Sequence, residues 1–68
     1  MSDIRFSEIT LDSFRQYINI YSDPKYLGCV YLDNRFSDRW YFDPSSREVT
    51  QEQLEKILNK LKELNGDL

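Results

Sequence analysis

The chain has no histidine, no alanine and a single cysteine, Cys29. Without histidine the commonest general base and the commonest transition-metal ligand are missing, and neither a Ser-His-Asp nor a Cys-His arrangement can be assembled. One cysteine cannot form an internal disulfide, and a lone thiol fits a reducing compartment. The only two glycines, Gly28 and Gly66, stand far apart and make no phosphate-cradling loop. No run approaches the ~20 apolar residues of a membrane span, and Met1-Ser2-Asp3-Ile4-Arg5 lacks the apolar stretch of a signal peptide. The expectation is a cytoplasmic protein with no cofactor, no metal, no small-molecule substrate and no enzymatic activity.

Charge of one sign in blocks is also lacking. Twelve acidic and nine basic side chains give a net charge of −3 and are interspersed. Neither a basic footprint nor an acidic tail is visible, which disfavours capture of nucleic acid or anionic lipid by charge alone.

What the chain does have is rings: one tryptophan, five tyrosines and four phenylalanines in 68 residues. Sixty-eight residues make one domain, residues 1–68. A domain of this size buries only ~60% of the surface its unfolded chain exposes, and natural ones often add disulfides, a metal or a second subunit. The first two supports are excluded or disfavoured by composition, so self-association remains. Large aromatic side chains strengthen a small core, but so many of them leave some at the surface.

Periodicity predicts a helix over 50–65. Leu54, Ile57, Leu58, Leu61 and Leu64 recur at helical spacing. Thr50 with Gln53 forms a capping box, Val49 and Leu54 have the spacing of a hydrophobic staple, and Gly66 supplies the left-handed stop. A second helix is predicted from about Leu11 to Ser22, because Leu11, Phe14, Tyr17, Ile18 and Tyr21 fall on one face and Pro24 bars its continuation. On that helix Ile20 faces outward. Two strands are predicted at Tyr26–Leu32 and Arg39–Asp43, joined as a hairpin, with a third short strand possible at Ile4–Phe6. Asp43-Pro44-Ser45-Ser46 reads as a type I turn. The fold class expected is therefore α+β of order (β)αββα, with two helices packed on one face of a small antiparallel two- or three-stranded sheet.

Strand alternation then divides the side chains. Val30, Leu32, Trp40 and Phe42 go beneath the helices. Leu27, Cys29, Tyr31 and Tyr41 go to the far face, edged by Arg39, with nothing in the chain left to cover them. An uncovered apolar and aromatic face marks a contact surface, and Tyr and Arg are enriched at binding hot spots. Ile20, Leu27, Tyr31, Phe36, Arg39 and Tyr41 are the candidate binding residues. Phe36, alone in a polar loop, is either a loop anchor or an exposed plug for a pocket on a partner. The bland alternative is that the tyrosines simply pack along their own sheet with their hydroxyls in water.

Other constellations are weaker. Arg35, Arg39, Trp40 and Tyr41 could stack unpaired bases and meet phosphate, making single-stranded nucleic-acid binding the alternative function. Asp33, Asp38 and Asp43 interleave with these residues and cancel much of the positive potential such binding needs. Asp33, Asn34, Ser37 and Asp38 could offer oxygens to a hard cation, but they lack the EF-hand spacing and are explained by turn chemistry. The reading is a non-enzymatic protein-interaction module of accessory or inhibitor type, as bacteria and phages encode, binding a protein partner or itself as a homodimer.

Overall fold

The computed structural model describes residues 4–67. Five strands form one antiparallel sheet, followed by a single helix. The strands are β1 (Arg5–Phe6), β2 (Thr10–Asp12), β3 (Arg15–Ser22), β4 (Lys25–Asp33) and β5 (Tyr41–Pro44), and the helix is α1 (Gln51–Asn65). β1 and β2 lie end to end along one edge of β3, and β4 and β5 follow on its other side.

This overturns the (β)αββα expectation of two helices on a two- or three-stranded sheet. Residues predicted as the first helix instead form β2, a turn at Ser13-Phe14 and β3. The physical reason lies in the side chains. Tyr17-Ile18-Asn19-Ile20-Tyr21 satisfies helical spacing, but it also alternates strictly between two faces. It is built from β-branched and aromatic residues, which fit a pleated surface better than a helix. Ser13 takes a left-handed φ of 54° to turn the chain, and Pro24 sits in the turn from β3 to β4 rather than ending a helix. The third strand near Ile4–Phe6 is present, as β1.

The C-terminal helix forms where its sequence places it. Thr50 Oγ1 accepts from the Gln53 N–H at 3.1 Å, and Gln53 Oε1 accepts from the Thr50 N–H at 2.9 Å. Gly66, at φ 72°, closes the other end as its N–H donates to Glu63 O. The helix covers one face of the sheet. Ile18, Ile20, Leu27, Val30, Trp40 and Ile57 form the buried core, with Phe6, Leu32, Phe42, Val49, Leu61 and Leu64 packed around them. The Asn65 side chain locks the helix end to the sheet, accepting from the Trp40 N–H at 2.7 Å and donating to its carbonyl.

One irregularity sets which side chains face the helix. Ile20 pairs with Gly28 but Tyr21 pairs with Tyr26, so Leu27 has no partner on β3. This β-bulge inserts one residue into the alternation and turns Leu27 under the helix. Gly28 carries it at φ 140°, where an added Cβ would lie 2.4 Å from the Asp43 carbonyl oxygen. The bulge also fixes the exit from β5: Ser45 and Ser46 N–H both donate to Leu27 O. Pro44 is thus the last residue of an edge strand, where a proline without an N–H is tolerated, and not the second residue of a free type I turn.

Candidate interaction face

The sheet's uncovered side collects all five tyrosines of the chain. Tyr17, Tyr31 and Tyr41 stand directly opposite one another on β3, β4 and β5, forming a row across three strands. Tyr21 and Tyr26 form a second pair, their ring centroids 5.3 Å apart. Between the rows lie Asn19, Cys29 and Asp43, again mutually opposite. Arg15 extends the β3 column beyond Tyr17, and Arg5 on β1 lies opposite Tyr21. Alternation across the strands, corrected for the bulge, puts these side chains on one surface.

The rings are held by local contacts. Tyr31 and Tyr41 are 6.1 Å apart, the Arg15 guanidinium lies 5.8 Å from the Tyr31 centroid, and Arg5 lies 4.4 Å from Tyr21. Such cation–π contacts orient the rings and leave one ring side open. Tyr26 donates its hydroxyl to Asn19 Oδ1 at 3.0 Å. Burial raises the Tyr26 hydroxyl's pKa, with a smaller contribution from Cys29, and burial also raises that of the Cys29 thiol, aided by the Asp43 carboxylate. Cys29 therefore stays a protonated, poorly nucleophilic thiol. The middle of the face sinks into a shallow open depression of about 510 Å³, lined by Tyr17, Asn19, Tyr26, Cys29, Tyr31 and Asp43 among others.

Charges around the face are unequally satisfied. Arg5 is held by Asp23 at 2.8 Å, which keeps the Asp23 carboxyl below its ordinary value. Asp33, nearly buried at the end of β4, accepts from the Arg35 side chain at 3.0 and 3.2 Å and from the Arg35 backbone N–H at 3.1 Å. The Arg35 hydrogen bonds hold its carboxyl below the ordinary range. With its carboxylate so occupied, Asp33 is explained as the anchor of the β4–β5 loop rather than as a cation ligand. Arg15 reaches the same carboxylate only at 3.8 Å. Asp43 is exposed and makes no ion pair among the described residues.

Of the six residues singled out in the sequence, the structure brings only Tyr31 and Tyr41 together on this face. Ile20 and Leu27 are fully buried in the core and cannot contact a partner. A helical step of about 100° turns Ile20 outward, whereas strand alternation in β3 turns it into the core. Strict alternation puts Leu27 with Cys29 and Tyr31, whereas the bulge turns it into the core. Phe36 is 80% exposed, so it does not anchor the loop to the core. It stands in the loop with the Arg35 guanidinium 5.0 Å from both its ring and that of Phe14. Arg39 is drawn to the helix end by an ion pair with Asp67. The alternative nucleic-acid cluster is likewise not assembled: Trp40 is in the core, Arg39 and Arg35 are paired with carboxylates, and Tyr41 alone lies on the open face. Sequence reading missed Arg5, Arg15, Tyr17, Asn19, Tyr21 and Tyr26 as members of the face. The alternation of Arg15, Tyr17, Asn19 and Tyr21 with Gln16, Ile18 and Ile20 is the signal that finds four of them.

No helix among the described residues is long and apolar enough to cross a membrane. Compared with protein-family models, curated proteins and solved structures, the chain matches none.

Proposed function

We propose that this chain is a non-enzymatic protein-interaction module of the accessory or inhibitor type, acting in the cytoplasm through the tyrosine face of its sheet. The observation that carries the reading is that all five tyrosines, with Arg15 and Asn19, share the one sheet surface the helix does not cover. Tyrosine supplies large, rigid contact area at low entropy cost, with a hydroxyl to pair at the rim, and Tyr and Arg are enriched where interfaces concentrate their energy. A cytoplasmic setting accords with a single half-buried thiol that needs no oxidised partner.

The row Tyr17, Tyr31 and Tyr41 also has the form of a base-stacking platform. A protein surface fits better, because Asp43 and Asp12 stand among the rings and Arg5 is already neutralised by Asp23. The test is a photo-crosslinking phenylalanine analogue placed at Tyr41 and, as a control, at Glu55 on the exposed side of the helix. Adducts with protein from position 41 and none from position 55 are expected. Equal labelling from both positions, or retention of mixed-sequence single-stranded oligonucleotides in a gel shift with no protein adduct, would overturn the reading.

A further inference from the structure

We infer that the partner taken by the tyrosine face is a second copy of this chain, stacked face to face about a two-fold axis that runs over Tyr31. The inference rests on the interaction reading above and adds the occupant and its geometry.

Three observations carry it. The first is the placement of two exposed charges, Arg15 and Asp43. Tyr17 and Tyr41 flank Tyr31 on either side. Arg15 is one strand from Tyr31 and two residues along, and Asp43 is one strand away on the other side and two residues along in the opposite direction. The two charges are therefore symmetric about Tyr31. Arg15 has its side chain 54% exposed and shares Asp33 with the closer Arg35, while Asp43 is exposed without an ion pair among the described residues. In a two-fold interface residue i of one copy meets residue j of the other, and j meets i. An axis lying between the stacked faces, perpendicular to the line from Arg15 to Asp43, sets each Arg15 over the other copy's Asp43. With strands ~4.8 Å apart and a rise of ~3.4 Å per residue, that axis crosses the two sets of strands at a steep angle, near the orthogonal class of sheet packing.

The second observation is size. The molecule measures 36 × 25 × 20 Å. The tyrosine face itself is narrower. Strands of eight and nine residues in a sheet four strands wide make a face of about 30 × 19 Å, the scale of a weak, concentration-dependent interface rather than a permanent one. The third is the thinness of the core, six buried hydrophobic side chains among the described residues under one helix. Domains this small commonly gain a second hydrophobic layer by oligomerising when they have no disulfide or metal. A copy stacked on the tyrosines turns a two-layer protomer into a four-layer dimer whose central layer is aromatic.

Charge-reversed pairs test both the occupant and the axis. Arg15→Glu and Asp43→Lys are made separately and sedimented alone and as an equimolar mixture, with far-UV circular dichroism confirming that each folds. The wild-type chain is expected to be a concentration-dependent dimer. Each single variant places two like-charge contacts in its own dimer and should weaken self-association by roughly tenfold or more. In the mixture every pair is again opposite, Glu against Lys and Asp against Arg, so a heterodimer of near wild-type affinity is expected. If either variant fails to fold, the same scheme runs with Arg15→Asp or Asp43→Arg. A wild-type chain that stays monomeric at millimolar concentration would overturn the homodimer while leaving crosslinks from position 41 to another protein as support for the broader reading. A wild-type dimer that neither single reversal weakens, or that the mixture does not restore, would overturn the proposed face and axis.

Discussion

The two sides of the sheet are made from the same strands yet differ in kind. Beneath the helix lie Ile18, Ile20, Leu27 and Val30, aliphatic and sealed from water. On the other side lie Tyr17, Tyr21, Tyr26, Tyr31 and Tyr41, half-buried or exposed, the last four held by ring or arginine contacts. The difference teaches how a small chain can hold a sealed core and an open aromatic face on one sheet. Branched aliphatic side chains fill a core at high density, whereas tyrosine tolerates water at its hydroxyl and apolar contact on its ring.

The contrast can be broken most severely from the helix side. Leu27→Ala should cost about 2–5 kcal/mol, the range for truncating a fully buried leucine, whereas Tyr31→Ala should cost about 1 kcal/mol or less, as for an open cross-strand pair. Urea denaturation followed by Trp40 fluorescence at one protein concentration measures both. Equal losses would mean the open face is a second core.

Gly28→Ala comes next. Its left-handed φ alone should cost about 1–3 kcal/mol, and the close approach to the Asp43 carbonyl adds to it. The same variant should move Leu27 and Tyr26 relative to the two faces, visible as lost amide protection across β4 in hydrogen exchange. A variant of unchanged stability would show that the bulge does not decide the sides.

The smallest expected effect is at the loop that borders the face. The folded-state pKa of Asp33 lies below its ordinary 3.8 because of its Arg35 hydrogen bonds. That stabilisation is fully present above 3.8 and is lost as pH falls from there through the lower folded-state value. Asp33→Asn should therefore be less stable than wild type at neutral pH and show a flatter decline in acid. Parallel acid curves for the two proteins would remove the linkage.

Legibility in the sequence followed from how local each signal was. The helix at Gln51–Asn65 could be read because its cap and stop are written within a few residues of its ends. Of its stripe, only Ile57, Leu61 and Leu64 pack on the core, while Leu54 and Leu58 stay exposed. The sides taken by Val30, Leu32, Trp40, Phe42, Tyr31 and Tyr41 could be read because alternation is local too. Residues 11–22 misled because helical and strand periods both fit Tyr17-Ile18-Asn19-Ile20-Tyr21, and only pairing partners beyond the segment choose between them. Three of the five tyrosines on the face went unrecognised for that reason or because of the bulge.

By itself, then, the sequence determined the surplus of aromatic side chains, the absence of histidine chemistry and the C-terminal helix. These depend on residue type and on bonds spanning a few positions. Only tertiary structure decided that the N-terminal half would be strands and that one glycine would send Leu27 inward. It also decided that Arg15 and Asp43 would stand symmetrically about Tyr31, because hydrogen-bond ladders and bulges are set between strands far apart in the chain.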